Sequence, residues 1–152
     1  MRKQKEYSTL KVQQEIIKTY FKGETYCVGF AECKMPCNET WYMYKAIALY
    51  KAEKPMLNNL REVNCEHLIN DLGKASNMLS MNEISYVTDG SKLMIKLSDK
   101  SGFEHKIDKK LLDIVNLDVY HCNFYVLALG KPGIVAVRTE EGELIAGIME
   151  VK

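Results

Sequence analysis

Three segments of the chain place apolar residues at helical spacing, and strand-like stretches follow each of them. The first segment is 11–22, where Val, Ile, Tyr and Phe recur on one face. The second is 64–79, in which apolar residues follow Asn64 at spacings of three, four and seven. The third is a short helix that begins after Asp108, whose side chain can cap it. The pattern therefore predicts three amphipathic helices.

The stretches between and after these helices alternate apolar and polar residues and are rich in Tyr, Val and Ile, as is typical of strands. Residues 83–97 predict a hairpin that turns at Asp89–Gly90. Residues 40–50 predict a strand, with a short helix near 46–49 as the alternative. The remaining strand predictions are 25–32, 103–107, 119–123, 125–129, 134–139 and 144–151.

Helices that alternate with groups of antiparallel strands are typical of the α+β class. We therefore expect an α+β fold with antiparallel sheets and three helices. The chain has 152 residues, which suits one domain. In the alternative arrangement, residues 1–60 form a separate unit of a helix plus strands, and residues 61–152 form a second unit.

Composition narrows the class of protein. Hydrophobic residues make up 47% of the chain, which is enough for a core and excludes a disordered polar chain. The formal net charge is +1, so a nucleic acid or an acidic surface would have to bind a local basic patch. The charged start, residues 1–6, leads into no apolar run, and no run reaches the ~20 residues of a membrane helix. We expect a cytoplasmic protein with no membrane partner, in which the five cysteines are reduced.

Four residues have the chemistry of a zinc site. Cys33 and Cys37 are separated by three residues around a Pro turn, and Cys65 and His67 add two further ligand atoms. The alternative, which we favour, is that these are ordinary thiols and a surface histidine, since Cys65 also completes the apolar stripe of its helix. We therefore expect no cofactor, with structural zinc as the alternative.

Motifs for nucleophilic catalysis or phosphate binding are missing from the chain. It contains no Gly-x-Ser-x-Gly elbow, no phosphate-binding loop and no Gly-x-Gly-x-x-Gly. We therefore expect no catalytic residues and a protein that is not an enzyme. A thiol- or zinc-dependent enzyme would require the four candidate ligands to converge in space.

Basic residues cluster on the first and third predicted helices. They are Lys11, Lys18, Lys22, Lys109 and Lys110. Such lysines can follow a phosphate backbone, although lysines on helices are more often solvated surface residues. These five are the candidate nucleic-acid-binding residues.

The second half of the chain resembles a domain of the DNA sliding clamps, the ring-shaped processivity factors of polymerases. The resemblance covers residues 64–152 and depends on element order and hydrophobic pattern, including ISYVTDGSKLMI at 84–95 and GELIAGIMEV at 142–151. Clamp domains are built from two βαβββ units, with their helices toward DNA and their sheets outside. The resemblance therefore implies a clamp-like fold and a role beside DNA.

Some features depart from that family. A bacterial clamp chain holds three such domains, whereas this chain has room for about one. A closed ring would therefore require a cyclic homo-oligomer. The segment before residue 64 adds a third helix, and the net charge is close to zero. No clamp motif maps onto individual positions, so the resemblance implies no site residues.

These observations predict a non-enzymatic binding module, either a clamp-like accessory of DNA replication or a phage or mobile-element protein. Its partner would be DNA or a protein. The alternative is a small homo-oligomeric interaction or structural domain with no nucleic-acid role. The third candidate is the thiol- or zinc-dependent enzyme.

Overall fold

The computed structural model describes residues 7–21, 29–33, 40–45, 48–52, 61–62, 66–89, 92–117, 121–127 and 133–151. Within these ranges the chain forms three helices and ten strands, mostly antiparallel, which confirms the predicted α+β class. The helices are α1 (Leu10–Phe21), α2 (Glu66–Lys74) and α3 (Lys109–Asp113). None of them has the length and apolar character that crossing a bilayer requires.

The strands follow one another in a continuous hydrogen-bonded order, β4-β1-β2-β3-β10-β9-β8-β5-β6-β7. Neighbours are antiparallel except for the short β1–β4 pair, which is parallel. Their bounds are β1 (Gly29–Cys33), β2 (Thr40–Lys45), β3 (Ala48–Ala52), β4 (Arg61–Glu62), β5 (Asn77–Asp89), β6 (Lys92–Ser98), β7 (Glu104–Asp108), β8 (Cys122–Leu127), β9 (Ile134–Thr139) and β10 (Leu144–Met149).

The sheet curls back on itself at the β7 end. The start of β5 pairs with β8 at residues 77–79, and the rest of β5 pairs with β6, so β5 carries the order from one part of the sheet to the other. The N–H of Val151, just beyond β10, then donates to the carbonyl of Lys106 on β7 at 2.8 Å. The last strand in the order therefore lies beside the end of β10.

Residues from both halves of the chain share this sheet and its main core. Strand β3 pairs with β10, and β2 pairs with β3. Val12 and Ile16 of α1 are fully buried in the same cluster as Phe124 of β8 and Ile148 of β10. Residues 7–52 and residues 66–151 are thus joined by backbone hydrogen bonds and by side-chain packing.

The helices cover opposite faces of the sheet. Alternating side chains explain how one strand serves both: on β2, Met43 belongs to the cluster under α1 and α3, whereas Tyr42 belongs to the cluster under α2. A bulge in β10 between Leu144 and Ala146 disrupts the alternation locally, and Ile145 and Ala146 both join the larger cluster. The sheet is therefore buried on both sides.

Most of the predicted elements are confirmed, and three boundaries are corrected. The predicted strand 40–50 is two paired strands, β2 and β3, so its helical alternative is wrong at residues 48–49. The runs 119–123 and 125–129 are one strand over 122–127. The helix predicted over 64–79 ends at Lys74, and residues 77–79 pair with β8. The predicted cap at Asn64 lies outside the described residues.

The short helix α3 begins as predicted. The Asp108 side chain accepts a hydrogen bond from the Lys110 N–H at 2.9 Å, and its backbone is extended, as an N-cap requires. Leu112 and Val115 are buried, and Leu111 packs partly against the same cluster. This helix lies next to the N-terminal part of α1, where Ser8 and Asn116 form an isolated β-bridge.

Candidate functional site

The structure brings four of the five candidate lysines onto one side of the sheet. Lys11 and Lys18 lie on α1, and Lys109 and Lys110 lie on α3, while Lys22 lies outside the described residues. Because the buried residues of both helices join one cluster, the two helices cover the same face. We call the outward side of α1 and α3 the lysine face.

Asp113 joins the two helices at the centre of the lysine face. Lys11 Nζ donates to the Asp113 carbonyl at 3.2 Å, and Lys109 Nζ donates to the Asp113 carboxylate at 2.9 and 3.1 Å. These contacts hold the two lysines in place and offset part of their charge. Lys18 and Lys110 are exposed and form no ion pair within the described part of the chain.

Apolar side chains lie on the same outward surface of α1. Leu10 is 60% exposed and Ile17 is 48% exposed, and each immediately precedes a candidate lysine. Positions seven apart lie on one face of a helix, so the two side chains form a short exposed stripe beside Lys11 and Lys18. The lysine face is therefore mixed: it has cationic groups for an anionic partner and apolar groups for a protein partner.

The four candidate zinc ligands are not brought together among the residues that can be described. Cys37 and Cys65 lie outside these residues, and only the backbone of Cys33, at the end of β1, is described. His67 is exposed on α2. Over the described ranges, no group of three or more His, Cys, Asp or Glu side chains is arranged to hold a metal ion.

A three-residue acid–histidine cluster joins distant parts of the chain on the opposite edge of the sheet. His105 on β7 hydrogen-bonds through Nδ1 to Glu150 Oε1, and through Nε2 to Asp99 Oδ2 at 3.1 Å. Asp99 Oδ1 also accepts from the N–H groups of Ser101 at 2.8 Å and Phe103 at 3.0 Å. We call Asp99, His105 and Glu150 the histidine cluster.

The surroundings of the histidine cluster change its protonation. Partial burial lowers the pKa of His105, but the hydrogen bonds and charges of Asp99 and Glu150 outweigh that effect, so the pKa is raised above its ordinary value. The hydrogen bond from His105, helped by the N–H groups of Phe103 and Ser101, lowers the pKa of Asp99. A histidine whose two ring nitrogens both face carboxylates has no lone pair left to accept a proton from a substrate. The geometry suits a structural ion cluster better than a general base.

The other described histidine–carboxylate contact is simpler. His121 Nδ1 lies 2.8 Å from Glu140 Oε1, and the Glu140 side chain is 62% exposed. This pair has one carboxylate and lies beside the β9–β10 turn, in which Gly142 has a positive φ of 92°. It provides an internal reference for the histidine cluster.

Arg138 closes the end of α2 from below. It lies on β9 and is only 8% exposed, and its Nη2 donates to the carbonyls of Leu72 and Ala75, the latter at 2.7 Å. Its guanidinium lies 4.0 Å from the centre of the Tyr125 ring. The carbonyls at a helix C-terminus carry partial negative charge, which favours a cation there. Arg138 is therefore a tertiary cap of α2, although its buried Nε has no hydrogen-bond partner.

Buried tyrosines fasten the core under the lysine face. The Tyr50 hydroxyl donates to the Leu111 carbonyl of α3 at 2.6 Å, and the Tyr7 hydroxyl donates to the Lys51 carbonyl of β3 at 2.6 Å. Burial raises the pKa of both phenols well above its ordinary value. Both hydroxyls therefore stay protonated and act as donors that hold the segment before α1 and α3 against β3.

The histidine cluster and Arg138 were missed in the sequence. Asp99 and His105 are only six residues apart, but Glu150 is 45 residues from His105. The available signal for Arg138 was a charged residue at the end of the apolar run IVAV. Comparisons of the chain with protein-family models, with curated proteins and with solved structures find no match.

Proposed function

We propose that this protein is a non-enzymatic binding module that contacts a DNA backbone through its lysine face, in the manner of a replication accessory. The observation that supports this proposal is the placement of Lys11 and Lys18 on the same side of the sheet as Lys109 and Lys110. Lys11 and Lys18 are seven residues apart, which spans about 10.5 Å of helix. Lysines spread along a face in this way can contact successive phosphates.

The arrangement of the helices defines which surface a clamp-like role would use. The resemblance to clamp domains implies that helices on one face of the sheet approach DNA. Here α1 and α3 share a face, whereas α2 packs on the other. In this proposal, α1 and α3 therefore contact DNA and α2 does not.

Two further features support a binding role over catalysis. His105 has both ring nitrogens engaged by carboxylates, and Cys122 is buried in the core on β8. Neither side chain is available to a substrate in this structure. A thiol- or zinc-dependent enzyme would have to use Cys33, Cys37, Cys65 and His67, and the proposal assigns those four no role.

A second candidate function is supported by the exposed stripe of Leu10 and Ile17. Solvent-exposed Leu and Ile side chains beside one another are typical of a protein interface. In this alternative the chain is a homo-oligomeric interaction domain whose α1 packs against α1 of a second copy. An edge-strand interface is less favoured, because β4 has two residues and Val151 occupies part of the β7 edge.

The test of the DNA proposal is the affinity for a short fluorescent duplex, measured by anisotropy at several salt concentrations. We expect binding at low salt that weakens as salt rises, because phosphate contacts release counterions. The variant K18E/K110E reverses two exposed lysines of the lysine face. It should bind more weakly, and the salt-dependence slope should fall by about 2, one for each phosphate that the two lysines no longer neutralise.

The matched control is K74E/K100E. Lys74 at the end of α2 and Lys100 in the β6–β7 turn are also exposed, and this variant changes the net charge by the same amount. It should bind DNA much as the unmodified chain does. Equal weakening by both variants, or no binding by the unmodified chain at low salt, would contradict the proposal.

Light scattering on the same samples separates the two candidates. A mass that rises with protein concentration, together with no DNA retention, supports the homo-oligomeric domain. The variant I17K should then lower the mass, since a lysine in the exposed stripe prevents apolar packing.

A further inference from the structure

We propose that the histidine cluster is a pH-sensitive latch that fastens the C-terminal end of β10 to the edge strand β7. The three side chains come from places far apart in the strand order. Asp99 follows β6, His105 lies on β7 and Glu150 follows β10. The latch therefore closes the curled sheet where its last strand meets its central strands.

Backbone hydrogen bonds show what the latch holds in place. The Val151 N–H donates to the Lys106 carbonyl at 2.8 Å, and the Glu150 N–H donates to the Gly133 carbonyl at 3.0 Å. The Gly133 N–H in turn donates to Glu150 Oε2 at 2.9 Å. One carboxylate of Glu150 thus binds the start of β9 through one oxygen and His105 through the other.

The charge of the imidazole decides whether both side-chain contacts can form. A protonated imidazole carries an N–H on each nitrogen and can donate to Asp99 and Glu150 at once. A neutral imidazole has a single N–H, so one carboxylate would face a ring lone pair. Loss of the proton therefore breaks one arm of the latch and leaves two carboxylates without their shared cation.

Within the described residues, Asp99 and Glu150 are the charged groups that face His105. The β6–β7 turn contributes Asp99, the segment after β10 contributes Glu150, and the start of β9 contributes only the Gly133 N–H, which binds Glu150. The neighbours of His105 on β7, Glu104 and Lys106, point to the other face by strand alternation. In this part of the chain the imidazole thus lies between two anions and no competing cation.

The directions of the pKa shifts define the pH window of the latch. His105 has a pKa raised above 6.5, so its contribution is complete below 6.5 and is lost as the pH rises through the folded value. Asp99 has a pKa lowered below 3.8, so its contribution is complete above 3.8 and is lost as the pH falls through the folded value. The latch is therefore closed between these limits and opens on the alkaline side.

An open latch would change what the sheet edge presents. Without Val151, the Lys106 carbonyl on β7 becomes an unpaired acceptor on an exposed edge. The arm formed by β5, β6 and β7 also loses a connection to β9 and β10. We expect local opening at the C-terminal end rather than global unfolding, because the main core does not contain these polar groups.

The test is the hydrogen-exchange protection of the Val151 and Gly133 amides, measured by NMR and corrected for intrinsic exchange. Spectra are recorded at about pH 5.5 and about pH 8.5, on either side of the ordinary histidine pKa of about 6.5. We expect a several-fold loss of protection for both amides at the higher pH. Core amides of β8 should keep their protection.

Two variants and a control complete the test. E150Q should lower the pKa of the His105 ring, read from its own NMR titration, and H105Q should leave the two amides weakly protected at both pH values. H121Q removes the histidine that has one exposed carboxylate partner and should change neither amide. Equal protection at both pH values in the unmodified chain, or retained pH dependence in H105Q, would overturn the proposal.

Discussion

The two faces of the sheet are held by different kinds of interaction. Under α1 and α3, the described residues include 21 buried side chains in one cluster, and that cluster takes in residues from several strands. Under α2, the described residues include 6, and a buried arginine completes the packing at the helix end. The larger core lies beneath the face that carries the candidate binding lysines.

This difference explains how one face can carry exposed charge and apolar groups without losing stability. Val12 and Ile16 bury one side of α1 completely, so its other side is available for Leu10, Lys11 and Lys18. Helix α2 has no comparable reserve. It depends on a close approach to β10, where a Cβ on Gly147 would lie 2.7 Å from Leu72 Cδ1.

The largest expected effect is in the core beneath α1 and α3. Phe124 is 1% exposed in the larger cluster, and F124A leaves a cavity that surrounding strands cannot fill. We expect the free energy of unfolding to fall by about 3–5 kcal/mol, measured by denaturant titration. A loss below about 1 kcal/mol, a typical surface effect, would show that this cluster is not the main core.

The corresponding change under α2 should cost less. Leu72 is fully buried, but it belongs to the smaller cluster, where one short helix can move toward the sheet. We expect L72A to lower the free energy of unfolding by about 2–3 kcal/mol, near the low end for Leu→Ala changes in a core. A loss greater than that of F124A would reverse the comparison of the two faces.

Arg138 tests whether the α2 end needs its tertiary cap. R138M keeps most of the side-chain volume but leaves the Leu72 and Ala75 carbonyls without a donor. We expect a loss of about 1–3 kcal/mol, the usual cost of an unpaired buried polar group. The control K96M breaks only the surface pair with Glu104 and should cost about 0.2–1 kcal/mol. If both variants lost the same amount, Arg138 would not be a cap.

The smallest effect on stability is expected on the lysine face itself. K18E/K110E changes two exposed side chains, and the free energy of unfolding should stay within about 1 kcal/mol of that of the unmodified chain, about 0.5 kcal/mol for each substitution. Thermal unfolding monitored by circular dichroism measures this. A larger loss would mean that any change in DNA affinity reflects folding rather than direct binding.

The sequence predicted the helices and strands where local signals decide them. Asp108 caps α3 through its own neighbour Lys110, and the hairpin of β5 and β6 pairs Asp89 with Lys92 around the expected turn. The end of α2 could not be predicted in this way. Leu79 continued the helical spacing, but the strand pairing with β8 and the hydrogen bond from Arg138 both come from residues far away in the chain.

The candidate site divides along the same line. The lysines could be assigned to helices from periodicity, and the face shared by α1 and α3 became visible only with the hydrogen bond that joins Lys11 to Asp113, 102 residues away. The histidine cluster depends on Glu150, which has no spacing relation to His105 that a sequence pattern would detect. Long-range pairing of strands brings these groups together, and that pairing is not encoded in any short window.

The lysine face of α1 and α3, and not the side of the sheet covered by α2, is the proposed binding surface. The most direct measurement is an NMR titration of the isotopically labelled chain with a short DNA duplex at low salt. We expect amide shifts to change along α1 and α3, with the largest changes near Lys18 and Lys110, while α2 amides stay constant. Shift changes concentrated on α2, or no changes anywhere, would contradict this assignment.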